Sequence, residues 1–544
     1  MGETELSTID DVDVDAVVER ARAADGVWIS LVGPDELRER AAAVDPGLPL
    51  AGMPFAVKDN IDVAGLPTTA GCPDFAYTPD RNAPVVQRLV DAGAVVVGKT
   101  NLDQFATGLT GARSPYGNPE SVFGGGLISG GSSSGSAVAV ADGTVAFSLG
   151  TDTAGSGRVP AALNGIVGVK PTRGLLSTLG VVPACRSLDC VSVFARDVTT
   201  AERVTRVARG RVREDPWSRE GNRPLIARPR VGVPETLDFF SDAGQEKAFA
   251  RFGGDAAVDI GPLLEAGDLL YRGPWVAERL ADLGDFLAAH PESVLPVTRA
   301  VLETGRGFTA ADAFRAQHRL QELKHAADRM WEQVDVLVLP TIGTTWTHAE
   351  IAEDPIGRNL ILGRYTQFAN LLDMAAVTVP HGFTEDGRPA SITLFGPAFS
   401  DDTLALLAAS QWERTKNDTM TLAVAGLHLS GEPRNHELLE RGATLLGVTR
   451  TAPCYRLHLL PSGAPGLVRG EGGAAIEVEL WQLPVAQVGG FLTGIAAPLS
   501  LGRVALQDGT EVTGFLCEAY AVTDAPDITA GGGWRNYRSE GQRS

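Results

Sequence analysis

Histidine is scarce in this sequence, and its distribution limits the chemistry that the chain can perform. Eight histidines occur in 544 residues, and the first of them is His290. Residues upstream of that position therefore cannot supply a histidine base or a histidine metal ligand. The five cysteines are scattered and include no Cys-x-x-Cys pair, which argues against a disulfide framework and a zinc site. We expect neither a metal nor a cofactor.

Basic residues and long apolar runs are also lacking. The chain has 47 Lys and Arg against 67 Asp and Glu, a net charge of −20, whereas a general nucleic-acid binder needs a basic face. No apolar run approaches the roughly 18 residues that span a bilayer. The acidic start lacks the basic and apolar regions of a secretory signal. We therefore predict a globular protein of the reducing cytoplasm that binds neither nucleic acid nor membrane.

Glycine, in contrast, is abundant, and a stretch rich in Gly, Ser and Thr covers residues 124–180. The chain has 63 glycines, and glycine is the residue that permits backbone conformations forbidden to other side chains. Apolar runs such as VAFSLG and IVGVK interrupt the stretch, and a flexible linker has no need of them. We therefore predict that the stretch is folded.

The length predicts more than one hydrophobic core, at roughly 100–200 residues per domain. The first 50 residues are predicted to be helical from the spacing in VDAVVERARAA and PDELRERAAAV, where Pro34 suits a first helical turn. Short β-branched runs then alternate with helix patterns, which is typical of parallel strand–helix–strand units. We predict an α/β domain over residues 1–416, with a mixed, mostly parallel central sheet covered by helices.

The sequence pattern changes after the predicted helix DTLALLAASQWERT. The polar segment KNDTM is followed by short β-rich runs separated by Gly and Pro turns, among them TLAVAGLHL, CYRLHLL and AAIEVELWQL. We predict a smaller, β-rich, barrel-like domain over residues 421–544.

The glycine-serine stretch does not fit a nucleotide-binding loop. A P-loop needs GxxxxGK followed by Ser or Thr, and neither Lys99 nor Lys170 has that spacing. Acyl transfer fits better, because a serine hydroxyl can attack a carbonyl while small residues let backbone amides approach the oxyanion. Without an upstream histidine, the base can be a lysine whose pKa is lowered by burial. Lys58, at the end of the apolar run PFAVK, is a candidate.

Three separated motifs resemble the amidase signature family. They are VKDN with Lys58, the Gly-Gly-Ser-Ser run at 130–133, and GTDTAGS at 150–156 followed by Arg158 and Pro160. The resemblance implies Ser156 as nucleophile, Lys58 as base and Ser132 as the proton relay between them. It also implies a cis Gly131–Ser132 peptide bond, and an oxyanion hole formed by the amides of Thr153, Ala154, Gly155 and Ser156.

Neighbouring residues of the same types are alternatives. Ser133 and Ser134 also carry hydroxyls, but the family relay directly follows the Gly pair, so a turn role is expected for both. Lys99 is expected to cap a strand or to form a salt bridge. Asp152 is expected to support the loop rather than to react.

Other segments resemble the allophanate hydrolases within this family, including ISGGSSSGSAVAVA, VVPACRSLDCVSVFA and LYRGPWVAER. Allophanate is a carboxylated urea, so its pocket needs a cation with paired donors. The resemblance implies Arg279, whose planar fork suits a carboxylate, with Tyr271 as a phenol donor. The alternative is that both are helix-surface residues with stems packed on the core.

Amide hydrolysis would leave a carboxylated carbamate that must still lose carbon dioxide. Similar enzymes assign this step to a C-terminal domain that resembles the gamma-glutamyl cyclotransferase fold, and GLHLSGEPRN and GGGWRNYR agree with such a domain. His428, with Asn435, is the candidate for its polar site because an imidazole moves protons near neutral pH. His436, His458 and Glu518 are competitors.

Other functions stay open on the sequence alone. A general amidase, or the A-type component of a tRNA-dependent amidotransferase, would share the motifs but not the C-terminal domain. An inactive scaffold has little reason to keep Lys58, Ser132 and Ser156. The expected role is urea degradation, with urea carboxylase as the source of allophanate and a homodimer as the assembly.

Overall fold

The computed structural model describes residues 14–417, 419–439, 441 and 443–541. They divide into two compact units. The first comprises the described residues up to His381 together with Pro389–Trp412, and the second comprises Gly382–Arg388 with the described residues from Glu413 onward. Residues 1–13 of the predicted helical segment lie outside the described part of the chain.

The first unit is an α/β domain. Its helices are α1 (Val14–Ala23), α2 (Pro34–Ala42), α3 (Pro84–Asp91), α4 (Ser134–Ala141), α5 (Val159–Leu163), α6 (Val198–Ala208), α7 (Ala243–Phe249), α8 (Gly261–Arg272), α9 (Trp275–Ala289), α10 (Pro296–Glu303), α11 (Ala310–Gln333), α12 (His348–Glu353), α13 (Gly357–Leu362), α14 (Phe368–Leu371) and α15 (Asp401–Asn417). Its strands are β1 (Trp28–Leu31), β2 (Pro54–Lys58), β3 (Val95–Thr100), β4 (Phe147–Asp152), β5 (Val167–Lys170), β6 (Cys190–Ala195), β7 (Val231–Pro234), β8 (Ala256–Val258), β9 (Val336–Pro340), β10 (Ala375–Phe383) and β11 (Pro389–Gly396). None of the described helices combines the length and the apolar character needed to cross a bilayer.

These strands form one mixed sheet in the order β1-β3-β2-β4-β6-β5-β10-β11-β9-β7-β8. β2 is parallel to β3 and β4, and β7 is parallel to β8 and β9. Antiparallel pairs are β1–β3, β4–β6, β5–β6, β5–β10 and β9–β11. The mixed sheet with its helical cover is confirmed, but the parallel pairs just named belong to two groups of strands, and the antiparallel pairs outnumber them. The reason is that connections such as the described segment between β5 and β6 contain no crossover helix.

The N-terminal segment contains a strand as well as the two predicted helices. Pro34 lies in the first turn of α2, as expected. Between α1 and α2, however, β1 adds to the edge of the sheet by pairing with β3. The segment is therefore built into the α/β domain rather than forming a purely helical layer.

The alternation of side chains along β2 determines on which face of the sheet the Lys58 side chain lies. Phe55 and Val57 pack on the sheet face that is covered by α3 and α6, whereas Ala56 packs on the opposite face with α1, α2 and α4. Because strand side chains alternate between faces, Lys58 belongs on the same face as Ala56. α4 packs against β2 and begins at Ser134, directly after the Gly-Ser run. The fold therefore brings that run to the end of β2.

The second unit is β-rich, as predicted. Its strands are β12 (Thr419–Val424), β13 (Thr444–Arg450), β14 (Tyr455–Leu459), β15 (Pro465–Arg469), β16 (Glu477–Pro484), β17 (Leu499–Ala505) and β18 (Glu511–Cys517), and its helices are α16 (His436–Leu439), α17 (Val485–Thr493) and α18 (Trp534–Gly541). Among them, β13-β16-β12-β18-β17 form one sheet and β14-β15 a two-stranded ribbon. The core of this unit includes Leu422, Tyr455, Trp481 and Trp534.

The core of the central sheet provides a stability test. Phe147 is completely buried and stacks on Phe55 with ring centroids 4.9 Å apart. We expect Phe147→Ala to lower the free energy of unfolding by about 3–5 kcal/mol, because lost transfer energy and cavity cost add. Urea denaturation followed by tryptophan fluorescence measures the change. The control is Leu225→Ala, at a side chain that is 59% exposed; equal effects of the two substitutions would contradict the assignment of this core.

Candidate active site

Lys58 and Ser132 meet at the end of β2. Lys58 Nζ donates one hydrogen bond to Ser132 Oγ at 2.7 Å and another to Thr151 Oγ1 at 2.7 Å. Thr151 lies near the end of β4, the parallel neighbour of β2. Because parallel strands end at the same edge of a sheet, the two strands bring the lysine and the GTDTAGS loop together. Lys58 and Ser132 are completely buried.

Burial changes the acid–base character of Lys58. Removal of the amine from water lowers its pKa from 10.5 to about 7, although Asp103, Asp189 and Asp152 act in the opposite direction. Desolvation therefore outweighs the field of three carboxylates. A large fraction of the amine is neutral at pH 7 and can accept a proton.

The Gly131–Ser132 peptide bond is cis, which confirms the expectation from the sequence. Glycine is needed at position 131, because a Cβ atom there would collide with Asp103 Oδ2. The Asp103 carboxylate accepts hydrogen bonds from Gly111 N at 3.1 Å and Arg113 N at 2.9 Å. Asp103 N in turn donates to Ser132 O at 3.0 Å. The segment around Asp103 thus holds the backbone of Ser132 in place.

An ion pair shapes the GTDTAGS loop. Arg158 Nε and Nη2 donate to the two carboxylate oxygens of Asp152 at 2.9 and 2.8 Å, and both side chains are completely buried. Burial alone would raise the pKa of Asp152, but Arg158 and Lys170 reverse this effect and lower the pKa. The supporting role expected for Asp152 agrees with this geometry.

Ser156 lies in the same loop and is 4% exposed. Its Oγ donates to Gly108 O at 3.5 Å. Gly155 N donates to Asp152 Oδ1 at 3.1 Å, so this amide already has a partner. Thr153 is fixed through its side chain, whose Oγ1 donates to Asp189 Oδ1 at 2.5 Å. The oxyanion role of residues 153–156 stays a prediction.

Arg279 and Tyr271 lie next to each other, and Arg279 is not a helix-surface residue. Its side chain is buried, with the guanidinium carbon 5.7 Å from the ring centroid of Tyr271. Nη1 donates to Thr107 Oγ1 at 2.9 Å. Nη2 is buried and has no hydrogen-bond partner among the described residues. A buried donor without a partner is costly, which favours a ligand acceptor at this position.

The alternative residues of the motifs have other contacts. Lys99 Nζ lies 3.2 Å from Asp59 Oδ1 in a buried ion pair, which confirms the expected salt bridge. Ser133 Oγ donates to Thr151 O at 3.1 Å. Ser134 is the first residue of α4, and its buried Oγ has no partner among the described residues. Neither serine contacts Lys58 in the hydrogen bonds of the described chain.

In the second unit, His428 is buried and paired. Its Nε2 lies 3.3 Å from Glu437 Oε2, and its ring stacks on Phe515 with centroids 4.9 Å apart. Burial lowers the pKa of His428, although Glu437 opposes the shift. Asn435 Nδ2 donates to the His428 carbonyl at 2.9 Å, so this asparagine supports the backbone of His428.

The competitors of His428 have different surroundings. His436 is exposed, and its Nδ1 lies 2.9 Å from the carbonyl oxygen of Pro433. His458 Nδ1 lies 3.2 Å from the carbonyl oxygen of Ala525. The side chain of Glu518 is exposed. His428 differs from them in the pairing with the Glu437 carboxylate that the described residues show.

Sequence reasoning missed a buried carboxylate in the second unit. Glu479 accepts hydrogen bonds from Ser430 N at 2.7 Å, from Trp481 Nε1 at 3.1 Å and from Arg535 Nη2 at 2.5 Å. A signal was present in the sequence, because Glu479 has the same alternation along β16 as the buried Trp481 and Leu483. Arg535 belongs to the GGGWRNYR motif, so the motif and this strand meet at Glu479.

Comparison with known proteins places these observations in a family. A family model described as amidase matches residues 14–246 and 269–405. A second model, described as allophanate hydrolase C-terminal domain, matches residues 420–539. The chain is also similar to the A-type component of the glutamyl-tRNA(Gln) amidotransferase of Symbiobacterium thermophilum, with 34% identity over 75% of this chain and 89% of that protein.

Two relatives extend over both units. Urea amidolyase of Saccharomyces cerevisiae is 39% identical over 94% of this chain but only 31% of its own length, so the chain spans about a third of that relative. The solved structure of an allophanate hydrolase from Kluyveromyces lactis is 38% identical, covers 98% of this chain and 99% of its own, and superimposes with a TM-score of 0.71. The chain therefore belongs to the amidase family and continues into an allophanate hydrolase C-terminal domain.

Proposed function

We propose that the chain is an allophanate hydrolase, in which the first unit releases ammonia from allophanate and the second completes the breakdown of the product. The observation that carries the proposal is the buried hydrogen bond between Lys58 Nζ and Ser132 Oγ, 2.7 Å long, beside the loop of Ser156. The similarity to an allophanate hydrolase over nearly the whole chain supports the choice of substrate. A role in a tRNA-dependent amidotransferase is less well supported, since the relative of that name matches 75% of the chain.

In the first step, Ser156 is the nucleophile. Its Oγ attacks the terminal amide carbon, its proton passes to Ser132 Oγ, and the proton of Ser132 passes to Lys58 Nζ. A neutral lysine is needed, and the pKa of Lys58, lowered by burial to about 7, makes it available. The carbon–nitrogen bond then breaks and ammonia leaves with the returned proton. Water hydrolyses the acyl-enzyme by the same route.

Backbone amides of residues 153–156 are the proposed oxyanion donors. Hydrogen bonds fix the surrounding loop before the reaction, through Asp152 with Arg158 and through Asp189 with Thr153. Preorganised donors need not be reoriented as charge develops, which is the main source of their effect on the barrier. The Gly155 amide donates to Asp152 Oδ1, so as an oxyanion donor it would share its proton between that carboxylate and the oxyanion.

Arg279 is the proposed partner of the substrate carboxylate. Its buried Nη2 has no partner among the described residues, so an incoming carboxylate would satisfy a donor that is otherwise unpaired. Tyr271, whose ring lies beside the guanidinium, would add a phenol donor. Because the net charge of the chain is −20, recognition of an anion depends on this local cation.

The second unit is proposed to act on the dicarboxylated amine left by the first step. Loss of carbon dioxide breaks a carbon–nitrogen bond, and the nitrogen must gain a proton. His428 is the proposed group for that transfer, held by Glu437 and by the stacked ring of Phe515. Its pKa is lowered by burial, so the ring is neutral near pH 7 and offers both a donor and an acceptor nitrogen.

The wider context of the proposal is urea degradation in the cytoplasm. Relatives named urea amidolyase are about three times as long as this chain, and we propose that a urea carboxylase, fused or separate, supplies the allophanate. All five cysteines are free thiols, which supports a reducing compartment. We also propose that two copies of the chain assemble as a homodimer.

Replacement of the serines tests the proton route. We expect Ser156→Ala and Ser132→Ala each to lower kcat for ammonia release from allophanate by at least about a thousandfold. The reason is that the two serines and Lys58 act as one unit, so removal of any member costs nearly as much activity as removal of all. Ser134→Ala is the matched control, since it removes a neighbouring buried hydroxyl without a partner in the described chain; it should retain most of the activity. Circular dichroism verifies folding. Normal turnover by Ser156→Ala would exclude it as nucleophile.

The pH dependence of kcat/KM tests the role of Lys58. Because the neutral amine is the reactive form, activity should rise with pH through an apparent pKa of about 7. Asp189 also titrates in this region, since burial raises its pKa to about 6, and its negative charge raises the pKa of Lys58. Asp189→Asn should therefore move the rise in activity to lower pH. Disappearance of the rise in this variant would assign it to Asp189 instead.

The role of His428 is tested by following both products in the intact chain. We expect His428→Ala to release the first ammonia from allophanate while carbon dioxide release lags behind, because only the later carbon–nitrogen cleavage needs the imidazole. Enzyme-coupled ammonia detection and ¹³C NMR of bicarbonate measure the two rates. His436→Ala is the control, as this exposed ring contacts a backbone carbonyl. A lag in the control but not in His428→Ala would move the role to His436.

A further inference from the structure

The loop formed by residues 103–113 contacts Arg279 through the buried hydroxyl of Thr107. Thr107 Oγ1 accepts a hydrogen bond from Arg279 Nη1 at 2.9 Å and donates one to the carbonyl oxygen of Phe105 at 3.2 Å. Thr107 is completely buried. A hydroxyl has one proton, and because that proton is used on Phe105, the oxygen presents lone pairs to the guanidinium.

This contact fixes the direction of the Arg279 fork. A guanidinium is planar, so anchoring one terminal nitrogen restricts the rotation that would reorient the other. Nη1 is anchored by Thr107, the Tyr271 ring lies beside the group, and Nη2 is left without a partner among the described residues. With Nη1 held by the Thr107 hydroxyl, the Nη2 donors remain available to a ligand.

The backbone around Thr107 is itself held in an unusual conformation. Phe105 and Ala106 have φ angles of +52° and +51°, a left-handed region that costs non-glycine residues energy unless the surroundings enforce it. The Phe105 ring packs edge-on against Phe75 at 5.3 Å and against Phe286 at 5.8 Å. Phe286 lies on α9, the helix that carries Arg279. The strained turn and the arginine are therefore positioned by the same helix.

Gly108, the next residue of the loop, contacts Ser156, the proposed nucleophile. Gly108 O accepts the hydrogen bond from Ser156 Oγ at 3.5 Å, and Arg113 Nη1 donates to Thr107 O at 2.9 Å. Consecutive residues therefore contact the arginine and Ser156. The same short segment of the loop therefore lies between Arg279 and Ser156.

We propose that Thr107 is a positioning residue for substrate specificity: its hydroxyl anchors Arg279 Nη1 so that Nη2 is directed to the carboxylate of the substrate. The inference rests on the proposed function, because it takes an anionic amide as the ligand. Thr107 takes no part in bond making, so its loss should weaken carboxylate binding more than it slows the chemical step.

The test compares Thr107→Val, which keeps the shape and removes the hydroxyl, with the wild-type full chain. We expect KM for allophanate to rise by about tenfold with kcat within about twofold, the size expected for one hydrogen bond to a charged group. The inhibition constant of malonate, a dicarboxylate probe that is not turned over, should rise by a similar factor. Loss of kcat without these changes would overturn the inference, since it would indicate a disturbed Ser156.

Two further variants separate positioning from general loosening of the loop. Thr107→Ser retains the hydroxyl and should recover most of the affinity for malonate that Thr107→Val loses. Thr110→Val removes another buried hydroxyl of the same loop, one that accepts from Ala112 N at 3.2 Å and has no hydrogen bond to Arg279 among the described residues. A rise in KM for Thr110→Val as large as that for Thr107→Val would overturn the inference.

Arg279→Met distinguishes failure of this inference from failure of the proposed function. If Arg279→Met raises KM and the malonate inhibition constant while Thr107→Val does not, Arg279 binds the carboxylate as proposed. The positioning role of Thr107 is then wrong. If neither variant changes them, the proposed carboxylate pocket itself is wrong, and the inference falls with it.

Discussion

Desolvation of the Lys58 amine is the constraint on which the rest of the first unit depends. Three carboxylates raise the pKa of this amine, and burial still lowers it to about 7. Each carboxylate is itself engaged by donors: Asp152 by Arg158, Asp103 by the amides of Gly111 and Arg113, and Asp189 by Thr153. The positive charge of Arg158 offsets the field of Asp152, whereas the hydrogen bonds to Asp103 and Asp189 favour the charged forms of these two carboxylates. Burial of the amine, rather than the contacts of the carboxylates, therefore keeps the lysine available as a base.

The fold and the reactive residues were largely predictable because their signals are local. The apolar runs PFAVK, VAFSLG and IVGVK coincide with β2, β4 and β5. The motif around Lys58 and the two Gly-Ser segments indicated reactive residues, and the structure joins two of them through the hydrogen bond from Lys58 to Ser132. The extent of parallel pairing was overestimated. A continuous apolar run in the sequence indicates that a strand is buried on both faces, but it does not give the direction of the strand. The direction depends on the connection to the next strand, and β5 and β6 are antiparallel.

Residues whose importance comes from distant partners were not predictable. Thr107 contacts Arg279 across 172 positions of the chain, and nothing in its neighbourhood distinguishes it from other buried threonines. Glu479 is different, because its alternation with Trp481 along β16 was visible in the sequence. What the sequence could not supply was its set of donors, since Ser430 and Arg535 come from opposite ends of the second unit.

The alternation of β2 has a consequence for how this chain can change. Lys58 shares a sheet face with Ala56 and α4 only because one residue separates them. A substitution elsewhere in the strand alters packing but leaves the amine where it is. Loss or gain of a single residue between Pro54 and Lys58 would turn the amine to the opposite face, away from Ser132. The number of residues in this strand is therefore more strictly constrained than their identity. We expect β2 to vary by substitution of side chains and not by insertion or deletion.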